Sequence, residues 1–541
     1  MMKKSAKQNH QLTGASPQLS FFKNHRFIII LVIPFLLHTL FFVLGGIISF
    51  ERMQVGGIDP VCYYSYLRSI VFDGDLDFEN EYRALDETGV LLSYPHTPLG
   101  RRPNGFSIGP AMAAAPFFLA AHGLVSLTGI APADGYSPPY HVSCFMALAL
   151  YSLAGLILLF KWAREFFKPE AALAGVLFTW FSSSAVYYAY PITFMPHSIS
   201  AFFVILFLYY AYKSRGQVRR GRWILVGMLA GAMSLMRWQN SLFVLFLFPD
   251  VISLHRERKR LLSRNLGLFF LSTLVIFLPQ LIAWWRLYGR PFTVPQGGGF
   301  LLWARPMIVK ILFSTFNGLF TWTPITLVGL FGLFLWMRKD GRRSVPILLF
   351  ILFLLQLYLN SAVVDWHGSW GFGMRRFLNC LPIFALGLAA LVETLRKRSR
   401  FLLPCLLLSI FVIWNYLFLV QYYLHLVAWN RPLTFHEMVG DKLHIRTSIE
   451  RRRLVNTAYL SASRGYMDDV ETALRLAREI DPQHEDIYLA GGRIAASQGE
   501  VKTALEFFRR ALELAPEDRD IMRELKALRR LRDKIDSVSP P

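Results

Sequence analysis

The sequence predicts an all-α fold: a polytopic transmembrane helical body of about eleven spans, followed by a small C-terminal α-helical repeat domain. Three observations carry this. Of the 541 residues, 54% are hydrophobic and 15% aromatic, and the mean hydropathy is +0.37, above that of ordinary soluble domains. Apolar runs of about 16–24 residues recur from Phe27 to Leu424, close to the ~20 residues a helix needs to cross the hydrocarbon layer. From about Arg431 the chain turns charged and contains an internal repeat.

The net charge is +22. On a soluble chain that would suggest nucleic acid. Here the basic residues cluster in short loops between apolar runs, where they set topology, so membrane lipids and not nucleic acid are the expected surroundings. The four cysteines, Cys62, Cys144, Cys380 and Cys405, show no metal-ligand spacing and imply no disulfide framework. Residues 1–26 form a basic N-terminus expected in the cytoplasm (Lys3, Lys4, Lys7, Lys23, Arg26). No small-residue cleavage site follows the first apolar run, which reads as an uncleaved anchor.

The transmembrane body covers 27–425, with spans expected near 27–49, 141–160, 171–190, 197–212, 222–237, 239–254, 266–287, 322–337, 345–362, 377–393 and 401–424. Basic clusters at 161–168, 213–222, 256–264, 338–343 and 396–400 then all fall on one side, as the positive-inside rule requires. The stretch Phe106–Leu127 would break that alternation as a full span, and it contains Pro110 and Pro116. It therefore reads as a re-entrant or interfacial segment within the first outside loop, 51–140. The N-terminus then lies inside and the C-terminal tail outside, which in a bacterium is the periplasm.

After a linker at 426–449, residues 450–536 form the repeat domain. Gly465 and Gly499, Ala477 and Ala511, and Pro482 and Pro516 are each 34 apart, at tetratricopeptide-like spacing. A charged helix after Pro516 caps the array. The repeats either pack as an appendage or dock a protein partner.

The loop between the first two spans is long, as functional loops are. Within 51–104 it holds nine acidic residues against five arginines. Asp59 precedes a short helix bearing Tyr63, Tyr64 and Tyr66. Its carboxylate suits a general base, or it is the N-cap of a helix beginning at Pro60. Asp73-Gly-Asp75-Leu-Asp77 lacks the glycine and the glutamate of a calcium loop and reads as a solvated turn.

Three stretches resemble the GT-C superfamily of polytopic glycosyltransferases, which includes protein O-mannosyltransferases and lipid A aminoarabinose transferases. They are Asp59 with YYSYLRSIVFDGDLDFENEY and PNGFSIGPAMAAAPFF; RPFTVPQGGGFLLWARP with FNGLFTWTP; and WGFGMRRFLNCLPIFALGLA at 370–389. The resemblance spans about 27–425. It implies a sugar donor on a polyprenyl phosphate, chemistry on the outer face, a lipid, glycan or protein acceptor, and an aspartate base in the first outside loop, here Asp59. Many members carry two adjacent acidic residues there; this chain has one, so a second carboxylate would come from elsewhere, Asp75 or Asp365.

Displacement from a lipid phosphate needs fixed cations. Arg375 and Arg376, at the outer end of the tenth span, and Arg237, at the outer end of the fifth, suit the donor phosphate, or they snorkel to the interface. Tyr63, Tyr64, His197 and Trp366 are candidate substrate contacts, with core packing and the interfacial aromatic belt as the other readings. Gly297–Gly299 suggest a mobile loop. No cofactor is called for, and dependence on a divalent metal stays open. Rival readings are a lipid-glycan polymerase or ligase of another fold, a polyprenyl-linked glycan flippase, and a non-catalytic scaffold.

Overall fold

The computed structural model describes residues 26–40, 54–189, 194–257, 259–339, 343–368, 371–396, 402–428 and 431–538. The basic N-terminus, the end of the first expected span, most of the 396–400 cluster, Arg342 and Trp370 lie outside the described residues. What is described is helical apart from turns and one antiparallel bridge, Leu301 to Val363. Six helices are long and apolar enough to cross a membrane: Gly109–Thr128, Pro138–Ala163, Lys259–Tyr288, Ser344–Ser361, Arg375–Arg396 and Leu402–Tyr423. The chain is a multi-pass membrane protein. The other expected spans coincide with shorter helical segments, among them Arg26–Leu40, Pro169–Phe181 and Ile325–Met337, and His197–Lys213 and Arg220–Met236. The run at 239–254 is not one α-helix: Trp238–Leu247 is 3-10 and Phe248–Glu257 is α.

One expectation is corrected. Pro110 and Pro116 do not interrupt the Phe106–Leu127 stretch, because Gly109–Thr128 is one continuous helix of 20 residues. Pro110 sits in its first turn, where a missing N–H leaves no helical bond unmade. Pro116 is accommodated inside it. Length and composition therefore do not separate this helix from the spans.

The chain divides into two compact units. The first comprises Met1–Leu177, Ala189–Arg237 and Asp250–Pro291. Its most extensive helix pair joins Arg220–Met236 to Lys259–Tyr288. A Cβ on Gly227 would lie 2.4 Å from the Phe269 carbonyl oxygen, and one on Gly231 2.7 Å from that of Thr273. Two glycines four apart thus let the backbones touch, as small-residue motifs do where no water drives association, and Thr273 donates to the Gly227 carbonyl at 3.0 Å. Arg222, from one of the basic clusters, is buried in an ion pair with Asp250.

The second unit comprises Phe178–Tyr188, Trp238–Pro249 and Phe292–Pro541. Ile325–Met337 and the helix Leu381–Arg396 meet through glycines on both sides: a Cβ on Gly332 would lie 2.0 Å from the Gly387 oxygen, and one on Gly387 2.0 Å from the Gly329 oxygen. In the tail, the helices Ile445–Ser463, Met467–Ile480, Glu485–Ser497, Val501–Leu514 and Arg519–Val538 follow in order. Gly465 and Gly499 turn the chain with φ of 81° and 80°, a conformation that glycine adopts freely. The stretch expected as a linker is part of this packing. Arg431 pairs with Glu437, Glu485 and Asp518, and Asp441 with Arg451.

Candidate functional site

In the first unit the early loop is built around the helix Ile58–Arg68. Gly57, at φ 84°, precedes it as N-cap, so Asp59 is not the cap but lies in the first turn, half-buried. A carboxylate there still meets the positive end of the helix dipole. Tyr63 is buried against Phe106, ring centroids 4.9 Å apart. Tyr64 is fully buried: its hydroxyl donates to the Gly135 carbonyl at 2.7 Å, and its ring stacks on His141 at 5.0 Å. These contacts give Tyr64 a place in the packing of the loop.

The helix is fixed by the Pro103–Gly109 stretch. Asn104 donates to the Cys62 carbonyl at 2.8 Å, and its own backbone N–H and carbonyl both bond the Tyr288 hydroxyl. Tyr66 donates to the Phe106 carbonyl, Ser107 to that of Met236 at 2.7 Å, and the Ile108 N–H to Gln280 at 2.9 Å. A Cβ on Gly109 would strike the Leu235 oxygen at 2.3 Å. The Asp59 helix is thereby tied to the end of Arg220–Met236, where Arg237 follows in extended conformation.

Arg237 reaches His197, the first residue of its own helix and 4% exposed, with Nη1 3.0 Å from Nδ1. Since Arg only donates, Nδ1 accepts and the imidazole proton sits on Nε2. Two candidates forty residues apart are therefore brought together. Asn104, Gln280 and Tyr288 were not singled out from the sequence; Asn104 alone had a signal, its place in the quoted PNGFSIGP motif, and nothing local marks the other two.

The acidic run resolves as a turn at left-handed Gly74. Asp75 accepts from Ser69 at 2.8 Å and from the Asp77 N–H, and Asp73 takes Arg68 and Asn80. Among the described residues, the groups close enough to share a metal ion lie in the tail instead: His436, Asp441 and Asp481, and Glu437, His484 and Glu485. Arg451 and Arg431 occupy these two clusters.

Glu81 is wholly buried and accepts from Arg68 at 3.0 Å. Burial pushes its carboxyl up to about 7, against the pull of Arg68. The native state keeps this proton where the unfolded chain, with an ordinary value of 4.5, has lost it. The group's contribution to stability is thus complete below pH 4.5 and lost as pH rises through about 7. Glu81→Gln is expected to flatten the fall of the melting temperature across that window; an unchanged slope would assign the fall to another group.

In the second unit Arg375 and Arg376 open the helix Arg375–Arg396 in a 3-10 turn. Arg376 Nη2 donates to Asp365 at 2.8 Å, while its Nη1 is buried with no hydrogen-bond partner among the described residues. Arg375 runs close to Gly371, whose Cβ would sit 3.0 Å from the Arg375 Cδ. Trp366 lies half-buried in the turn beside Asp365, its ring edge-on to His367, which stacks on Phe316 at 4.2 Å. Phe300 and Leu302 bond Val364 and Ala362 through the backbone, so the exposed Gly297–Gly299 loop is anchored next to that turn.

Residues 141–284 match the family described as dolichyl-phosphate-mannose-protein mannosyltransferase. No curated protein matches. Among solved structures, ArnT from Cupriavidus metallidurans in the apo state is 13% identical, with 92% of this chain and 78% of that one covered and a TM-score of 0.46. The apo oligosaccharyltransferase of Archaeoglobus fulgidus is 12% identical at 80% and 55% coverage, TM-score 0.45. AglB from the same organism, in complex with an inhibitory peptide and a dolichol-phosphate, is 13% identical at 84% and 56%, TM-score 0.45. The chain thus spans about half the length of the two archaeal proteins. His197 and Arg237 fall inside the family match, and over residues 141–284 the chain carries the pattern of the dolichyl-phosphate-mannose-protein mannosyltransferases, as the resemblance in its sequence implies.

Proposed function

We propose that the chain is a membrane glycosyltransferase that moves a sugar from a polyprenyl-phosphate-linked donor to a lipid, glycan or protein acceptor on the periplasmic face of the bacterial inner membrane. The observation that carries this reading is the family match over residues 141–284, whose name joins a sugar, a lipid phosphate and a protein acceptor.

In the step proposed, the acceptor oxygen forms a bond to the anomeric carbon while the bond from that carbon to the donor phosphate breaks. Asp59 takes the hydroxyl proton, and the lipid phosphate leaves with the bonding electrons. The negative charge that grows on the phosphate calls for cations already in place. Arg376 is proposed for that role, since a buried guanidinium nitrogen without a hydrogen-bond partner among the described residues suits a phosphate oxygen. Arg375 is proposed beside it. Arg237, oriented by His197, is proposed as a further phosphate or substrate ligand, and Trp366 and Tyr63 as substrate contacts. The tail is proposed as a tetratricopeptide-like array facing the periplasm, able to receive a protein partner.

The test is sugar transfer in membranes that contain the chain, supplied with a set of labelled polyprenyl-phosphate sugars, with and without chelator. Labelled acceptor that forms only when the chain is present supports the reading, and loss of product on chelation would make the reaction metal-dependent. Movement of the lipid-linked sugar across the bilayer without transfer of label would make the chain a flippase.

A further inference from the structure

The helix Leu402–Tyr423 is the last of the helices long and apolar enough to cross a membrane among the described residues. Directly beyond its end a groove of about 360 Å³ opens against the helix Ile445–Ser463. Its lining has two chemistries. Leu424, Ile449 and Leu460 are apolar, yet 41%, 43% and 52% exposed. Arg452, Arg453 and Asn456 are polar and share the groove with them. Ile449, Arg453, Asn456 and Leu460 follow one another at helical spacing, so cationic and apolar groups lie along one face. Arg452 is only loosely engaged, 3.9 Å from Asp486, and among the described residues Arg453 makes no ion pair. In the chain between that span and the helix Ile445–Ser463, Phe435 and Leu443 are 80% and 74% exposed, bare apolar surface in the segment that follows the span.

We propose that this groove binds the headgroup of an anionic phospholipid. The guanidinium groups of Arg452 and Arg453 take the phosphate oxygens, Asn456 donates to the glycerol or headgroup oxygens, and the upper acyl chains lie on Leu424, Ile449 and Leu460. Position selects the occupant. A groove that begins where a span leaves the hydrocarbon meets the bilayer at headgroup depth, where basic side chains draw anionic lipids and arginine stems cover apolar surface. A soluble anion would match the arginines and leave the apolar half of the groove bare. The bound lipid would hold the first tail helix to the membrane surface.

Native mass spectrometry of the full chain, released from nanodiscs of equal parts phosphatidylglycerol and phosphatidylcholine, tests it. The expected result is one tightly retained phosphatidylglycerol that Arg453→Gln weakens about fivefold and the Arg452→Gln/Arg453→Gln pair about twenty-fivefold, with phosphatidylcholine retention unchanged. Arg453 is exposed, so its replacement leaves the fold intact, and an unchanged circular dichroism spectrum checks this. Arg475, 60% exposed on the next helix, is the control, and Arg475→Gln should change nothing. Equal retention of the two lipids, or a preference that survives both replacements, overturns the proposal. So does an equal loss with Arg475→Gln, which would mark general surface attraction, or displacement of the lipid by millimolar inorganic phosphate, which would make the groove a site for a free anion.

Discussion

Asp59→Asn is expected to lower sugar transfer at least about a hundredfold in kcat, with KM for the donor nearly unchanged, because a base acts on the proton in flight and not on the bound ground state. Asn keeps the size and polarity of the side chain but accepts no proton at neutral pH. The helix around it should survive. Gly57 sets the N-terminus and Pro60 fills the first turn, and the residues that fix the helix to its unit, Tyr64, Tyr66 and the Asn104 amide that bonds Cys62, are untouched. The carboxylate's interaction with the helix dipole contributes about 0.3–1 kcal/mol to the structural cost. A melting temperature within a few degrees of wild type, together with the lost activity, would separate base from scaffold. Wild-type rates from the variant would leave Asp59 as a first-turn residue that favours the helix dipole and does no chemistry.

The membrane body was legible because hydrocarbon imposes a plain rule: a crossing segment must be long, apolar and internally hydrogen-bonded. Among the described residues, every expected span accordingly contains helical structure. The rule is blind to how prolines are accommodated, so Pro110 and Pro116 suggested a break where one helix runs from Gly109 to Thr128. It is also blind to local winding, and half of 239–254 is 3-10. Candidate residues were legible one at a time. His197 and Arg237 each stood out at a helix end, but their contact joins positions forty apart, and no local pattern encodes it. Asn104, Tyr288 and Gln280 lay further out of reach: their bonds link positions 184 and 172 residues apart, and each residue taken singly looks like an ordinary polar side chain near a membrane. Two limits meet at Asp59. Its residue type and place in the loop singled it out, yet the helix began at Ile58, two residues earlier than the Asp-Pro pair suggested, because Gly57 made the sharp turn that the Asp side chain was expected to cap.

The largest effect on stability is expected from Arg431→Leu. The sequence places a linker at 426–449, where the composition turns charged from about Arg431. In the fold these charges are buried and paired over long distances. Arg431, 6% exposed, takes Glu437 through two hydrogen bonds and also Glu485 and Asp518. Burial by itself would raise the Glu437 carboxyl, but Arg431 holds it below the ordinary range. His484 follows the same logic with the sign reversed: burial opposes its charge, but the carboxylates of Asp486, Glu485 and Asp441 keep it protonated. Leucine at 431 would fill much of the volume and leave three buried carboxylates without their common cation. Removing one partner of a buried pair costs about 3–5 kcal/mol, a large share of what a small helical array has. The loss should be local. Hydrogen exchange is expected to rise across 431–443 and 484–520, while helices such as Arg220–Met236 in the other unit keep wild-type protection. Replacing Glu437 as well, in Arg431→Leu/Glu437→Leu, should recover part of the stability by removing one stranded charge, and a double variant no more stable than the single would show that the network is held by packing and not by charge.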